Sequence, residues 1–116
     1  MKKVLYAEDE VYNRKYLELL LRKKGINCDL AVDGVSALAL FRQNSYSVVI
    51  LDQHMPGMSG EKVAKEIRTV DPNIPLIAIT GDDSQVPMLM DAGFTHVFIK
   101  PLHGEEYIGA IVRFAG

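Results

Sequence analysis

Five short apolar runs recur along the chain, each followed by a turn and then an amphipathic stretch. The runs are Val4–Ala7, Cys28–Val32, Val48–Leu51, Leu76–Ile79 and Val97–Ile99. Val48–Leu51 and Leu76–Ile79 show no polar alternation, the pattern of a strand covered on both faces. The stretches between them have helical period. Over Glu10–Lys24 the spacing sets Tyr16, Leu17, Leu20 and Leu21 against Arg14, Lys15, Glu18 and Arg22. Gly25 then supplies a C-terminal stop. Asp33 and Gly34 open a second helix with Leu38 and Phe41 turned inward. Ser59 is placed to cap a third, in which Val63, Ile67 and Val70 repeat. The fourth stretch, Asp82–Ala92, contains Pro87, which a helix tolerates chiefly in its first turn. A short helix starting close to Pro87 and ending at Gly93 is expected there. A fifth runs from about Glu105 to Phe114, with Tyr107, Ile108, Ile111 and Val112 apolar.

Strands alternating with helices predict an α/β fold, a doubly wound five-stranded parallel sheet with right-handed crossovers. Ligands of such sheets bind beyond the carboxyl ends of the strands. Glu8, Asp9 and Glu10 follow the first run, Asp52 the third, Thr80 and Gly81 the fourth, Lys100 and Pro101 the fifth. The second ends in a turn at Asp33. Singly, each has an ordinary reading. Acids favour the positive end of a helix, an aspartate caps, a threonine ends a strand, and a lysine decorates the surface. Together they have one coherent use. Clustered carboxylates repel and call for a hard cation with oxygen ligands, most simply Mg²⁺ (or Mn²⁺). A cation, a lysine and a hydroxyl form a site for phosphoryl oxygens.

At 116 residues the chain reads as one domain, 1–116, long enough to fold without a disulfide or metal staple. Thirteen Lys and Arg against fifteen Asp and Glu give a net charge of −2, so no basic field exists for direct nucleic-acid binding. Cys28 is the single cysteine, expected to be buried and inert, and fits a reducing, cytoplasmic setting. Lys2 and Lys3 resemble the start of a signal peptide, but the apolar run after them stops at Glu8. No segment approaches the ~18 apolar residues of a membrane span, so no membrane insertion is expected. His54, His96 and His103 lack zinc-pair spacing. Met88 and Met90 read as packing or partner surface. No glycine-rich nucleotide loop is present.

The chain resembles a response-regulator receiver domain, the aspartate-phosphorylated module of two-component signalling, of the single-domain, chemotaxis-regulator kind. The matching stretches are Val4–Glu10, Leu51–Gly60 with its Asp-x-x-Met-Pro-x-Met-x-Gly pattern, Ile79–Gly81, and Lys100 with Pro101. The resemblance covers essentially the whole chain. It implies a (βα)5 flavodoxin-like fold of strand order 2-1-3-4-5. It implies that Asp52 accepts phosphoryl from a phosphohistidine on a histidine kinase or phosphotransfer protein, and that a downstream protein target reads the result. Asp9 would be the main metal ligand, helped by Glu8, where many relatives have aspartate, by Asp52 and by the backbone carbonyl of His54. Lys100 would pair with Asp52 and then with the phosphoryl oxygens. Thr80 would donate its hydroxyl to them. The Lys100–Pro101 bond would be cis. Pro56 and Gly57 would shape the loop under Asp52, and Gly60 would let the third helix start close by.

Such a domain is a switch or phosphorelay carrier, not an enzyme, because it catalyses only its own modification and hydrolysis. A phosphorylation-independent pseudo-receiver is the alternative, but every reactive position is filled. An aspartyl-phosphate phosphatase would carry a second aspartate two residues on, where this chain has His54. A flavin carrier would want a phosphate-cradling loop where three acids stand. A free-standing receiver and a piece of a larger chain both fit. In most receivers an aromatic residue three positions before the lysine moves with the threonine; here it is Val97. Phe98 faces the other way. Output is therefore expected to pass through the Thr80–Asp83 loop, the short fourth helix or the first helix. Finally, His54 and Asp82 should flank the route of the water that removes the phosphoryl group and so control its lifetime. The imidazole either positions that water or blocks it, and Asp82 is a candidate hydrogen-bond partner for the ring.

Overall fold

The computed structural model describes residues 3–101 and 104–115. His103 and Lys2 lie outside them. Five strands and five helices alternate: β1 Lys3–Ala7, α1 Val11–Lys23, β2 Asn27–Ala31, α2 Gly34–Gln43, β3 Val48–Asp52, α3 Gly60–Val70, β4 Leu76–Thr80, α4 Val86–Asp91, β5 His96–Ile99 and α5 Gly104–Ala115. One turn of 3-10 helix, Asp83–Gln85, leads into α4. The strands form a sheet in the order β2-β1-β3-β4-β5, every neighbouring pair parallel. This is the expected doubly wound order, with its switch point between β1 and β3.

Alternation along each strand divides the core in two. Leu5, Ala7, Val49, Leu51, Leu76 and Ala78 face one side and pack with Leu38, Val63, Ile67 and Leu89. Val4, Tyr6, Val48, Ile50, Ile77 and Ile79 face the other and pack with Leu17, Leu21, Tyr107 and Ile111. β3 and β4 are buried throughout, as their unbroken apolar runs required.

The helix starts follow the capping residues. Glu10 precedes α1 and accepts the amides of Tyr12 and Asn13. Asp33 accepts that of Ser36, and Ser59 that of Lys62. Pro87 sits in the first turn of a six-residue α4. Gly93, at φ +111°, turns the chain after it.

Four expectations change. Tyr16 is 49% exposed, because the buried stripe of α1 is Leu17–Leu21 and Tyr16 lies at its edge. Val70 is 66% exposed, because α3 ends there and runs off the core. Val32 lies past the end of β2 and is exposed. Cys28 is half-buried, on the edge strand, and burial raises its thiol to about 12, which leaves it unreactive.

Arg68 of α3 ties the far end of this layer together. Its guanidinium donates to the carbonyls of Gly93 (2.9 Å), Ile74 (2.7 Å) and Asp71 (3.2 Å), and to Thr95 Oγ1 (3.4 Å).

Candidate phosphoacceptor site

β1 and β3 end side by side, which places Glu8, Asp9 and Asp52 together. One carboxylate oxygen from each lies within 4.8 Å of the others. Glu8 is fully buried and Asp52 is 2% exposed, whereas Asp9 faces solvent. Lys100, from the end of β5, reaches across β4. Its Nζ donates to Asp52 Oδ2 at 3.0 Å and lies 3.6 Å from Glu8 Oε1. Burial works against the charge on Lys100, but the hydrogen bond and charge of Asp52 outweigh it, so the ammonium titrates above its ordinary range. The Lys100–Pro101 bond is cis.

Glu8 carries the strain of this arrangement. Burial is the largest cause, the hydrogen bond and charge of Asp52 follow, and together they push its carboxyl up to about 8. The Glu10 amide (3.2 Å) and Lys100 pull the other way. The Tyr6 hydroxyl also donates to Glu8, at 3.4 Å. The Tyr107 hydroxyl is buried beside that of Tyr6 without a well-formed hydrogen bond among the described residues. The β1–α1 loop is held from outside by Arg14, which donates to the carbonyls of Glu8 (2.8 Å) and Asp9 (3.3 Å).

The floor of the site is set by close approach. A Cβ on Gly60 would meet the Asp52 carbonyl oxygen at 2.6 Å, so only glycine lets α3 begin against the end of β3. Gln53, 7% exposed, accepts the Glu61 amide at 2.8 Å and fixes that start. Gly57, at φ +78°, turns the loop after Pro56. The His54 amide donates to Asp52 Oδ1 at 3.1 Å. Its side chain is exposed, as expected.

Thr80 is fully buried at the end of β4. Its hydroxyl donates to Gln85 Oε1 at 2.6 Å and accepts the Asp82 amide at 3.1 Å. Asp82 Oδ1 accepts from the amide (3.0 Å) and hydroxyl (2.6 Å) of Ser84, which hold its carboxyl below the usual range. A hydrogen bond from the His54 ring to Asp82 does not form among the described residues. Asp82 is committed to Ser84 as the cap of the 3-10 turn, and His54 acts on it only through charge. Val97 packs on the α3–α4 side of the sheet, and Phe98 on the other, edge-on to Tyr107 at 4.9 Å.

Glu8, Asp9, Asp52 and Lys100 are thus brought together, with Thr80 on the neighbouring strand end. Sequence reading missed Gln85, Gln53 and the pair Tyr6 and Tyr107. Tyr6 had a signal: two residues before Glu8, it shares Glu8's side of the strand. Gln85 had none, because only the folded turn carries it back to Thr80.

A family model for the response regulator receiver domain matches residues 4–112. The chain belongs to that family. It is 36% identical over 113 residues to the sensory transduction protein RegX3 of Mycolicibacterium smegmatis, covering 96% of this chain and 49% of that protein. It thus spans about half the length of that relative. It is 31% identical to the autoinducer 2 sensor kinase/phosphatase LuxQ of Vibrio parahaemolyticus, over 97% of this chain and 13% of LuxQ. Among solved structures it is similar to the response regulator TrrA of Thermotoga maritima in complex with Mg²⁺ and beryllofluoride, with TM-score 0.91, 31% identity and coverage of 98% and 99% of the two chains. It is also similar to the receiver domain of the sensor histidine kinase PA1611 of Pseudomonas aeruginosa, with a magnesium ion in its active-site cleft. There the TM-score is 0.90 and the identity 25%, over 99% and 98% of the chains. The receiver domain therefore has an acidic pocket able to hold a metal ion, in a module of two-component signalling. Among the described residues, no helix is long and apolar enough to cross a membrane.

Proposed function

We propose that this receiver accepts a phosphoryl group on Asp52 from a phosphohistidine of a histidine kinase or phosphotransfer protein, and that the change alters binding of a downstream protein. The observation that carries this reading is the Lys100–Asp52 pair, at 3.0 Å, beside the buried acid of Glu8. Lys100 holds Asp52 Oδ2, and the His54 amide holds Oδ1, so the carboxylate is oriented before any donor arrives. An Asp52 oxygen attacks phosphorus, the phosphorus–nitrogen bond breaks, and the donor histidine leaves with the electron pair. Lys100 and the Thr80 hydroxyl then face the phosphoryl oxygens.

Glu8, Asp9, Asp52 and the His54 carbonyl would hold Mg²⁺ or Mn²⁺. A hard cation suits three carboxylates that share one ammonium. When bound, it would screen the carboxylates and the incoming oxygens. The chain acts on itself and turns over no metabolite, so it is a switch and not an enzyme. A cytoplasmic setting fits Cys28, which is a free thiol.

The test is the protein's mass after incubation with acetyl phosphate and Mg²⁺, wild type beside Asp52→Asn. Wild type is expected to gain one phosphoryl group and the variant none. Equal masses before and after for wild type would favour the pseudo-receiver. The same preparation tests phosphoryl lifetime. Removing the exposed His54 ring, or the Asp82 carboxylate, is expected to change the dephosphorylation rate between about pH 5.5 and 8. Superimposable profiles for wild type, His54→Ala and Asp82→Ala would dismiss both side chains from this role.

A further inference from the structure

We propose that Gln85 is a latch: its amide oxygen holds the Thr80 hydroxyl proton, opposes the phosphorylated arrangement, and passes the release of Thr80 to α4. The inference rests on the phosphoacceptor reading above and assigns a positioning residue within it.

Hydrogen-bond stoichiometry sets two partners of Thr80 against each other. A threonine hydroxyl has one proton to donate. Here that proton goes to Gln85 Oε1, at 2.6 Å, while the oxygen accepts the Asp82 amide. Thr80 is wholly buried, so no water replaces either partner without rearrangement. A phosphoryl oxygen on Asp52 needs the same proton. Thr80 cannot donate to it and to Gln85 at once. Forming the one bond breaks the other, and the broken one leaves the Gln85 carbonyl half-buried and unpaired.

Gln85 is also where α4 begins. It ends the 3-10 turn and stands at the N-cap of α4, yet its side chain makes no capping bond to that helix. Pro87, in the first turn of α4, has no amide proton and asks for no cap, so the Gln85 side chain is left free to serve Thr80. The Gln85 side chain at this helix start bonds Thr80 and nothing in α4. Loss of that bond frees the start of α4. This gives Thr80 a route to the surface that needs no aromatic ring at Val97.

The experiment titrates beryllofluoride, as a phosphoryl mimic, with Mg²⁺ into the full chain and follows backbone amide spectra. Gln85→Leu keeps the size and removes the acceptor. It is expected to tighten beryllofluoride binding by about five- to tenfold, the worth of one hydrogen bond. Its unliganded amides from Met88 to Ala92 should move towards their positions in bound wild type. Gln85→Glu, a stronger acceptor carrying a negative charge, is expected to weaken binding. In a Thr80→Ala background the Gln85→Leu gain should vanish, an outcome that a merely structural role would not produce. Equal affinity of wild type and Gln85→Leu would overturn the latch and leave the phosphoacceptor reading standing. Failure of wild type to bind beryllofluoride would overturn both.

Discussion

Replacing Glu8 with glutamine is expected to stabilise the metal-free protein at pH 8 by about 2–4 kcal/mol and to change little at pH 5. Glu8 is fully buried, and its carboxyl titrates at about 8 in the folded protein against an ordinary value of 4.5. Between those values the folded chain holds a proton that the unfolded chain has released. Its favourable contribution is therefore whole below about pH 4.5 and is lost as pH rises through 8. Glutamine keeps the shape and never charges. Urea denaturation of both proteins in a chelator, from pH 5 to 8, reads the effect. The difference between them should grow with pH. Parallel curves would mean that Glu8 does not carry this burden. The stabilised variant is also expected to lose metal affinity, a stability gain made at the expense of the site.

Magnesium is expected to raise the melting temperature of wild type by roughly 10 °C at a hundredfold excess over its dissociation constant. Asp9→Ala should remove most of that rise. Asp9 is the exposed member of the acid trio, so its removal leaves no cavity, and any lost shift belongs to the ion. The rise should also weaken as pH falls from 8 towards 6, because binding must expel the Glu8 proton. Equal shifts in wild type and Asp9→Ala would rule out these carboxylates as the cation site.

Much of the fold was legible because the strands are short, apolar and separated by helices with clear caps. Asp33, Ser59 and Pro87 each mark a boundary through local chemistry that needs no tertiary contact. Strand order was different. It came from family resemblance, since no local pattern says that β1 lies between β2 and β3. Tyr16 and Val70 were misplaced because a helical stripe read from spacing does not know where the sheet beneath it ends. Asp9, Asp52, Thr80 and Lys100 were legible because parallel strands carry their last residues to one edge. The severity of Glu8's burial was not, since it depends on Tyr6, Asp52 and Lys100 arriving from other parts of the chain. The candidate bond from His54 to Asp82 is absent among the described residues, where Ser84, two residues on, donates twice to Asp82 Oδ1.

Arg68 sets a limit on what α4 can do. Its guanidinium grips Gly93 and Thr95, just past the C-terminal end of that helix, and Ile74 before β4. A Cβ on Gly93 would meet the arginine side chain at 2.8 Å, so the grip is tight as well as polar. The opposite end continues from the 3-10 turn that Asp82 caps, and Gln85 joins it to Thr80. If Gln85 releases Thr80 as proposed, a helix gripped at Gly93 would turn about that end. It is about 9 Å long, so a small displacement beside Thr80 would become a rotation that carries the exposed side chains of Met88 and Met90.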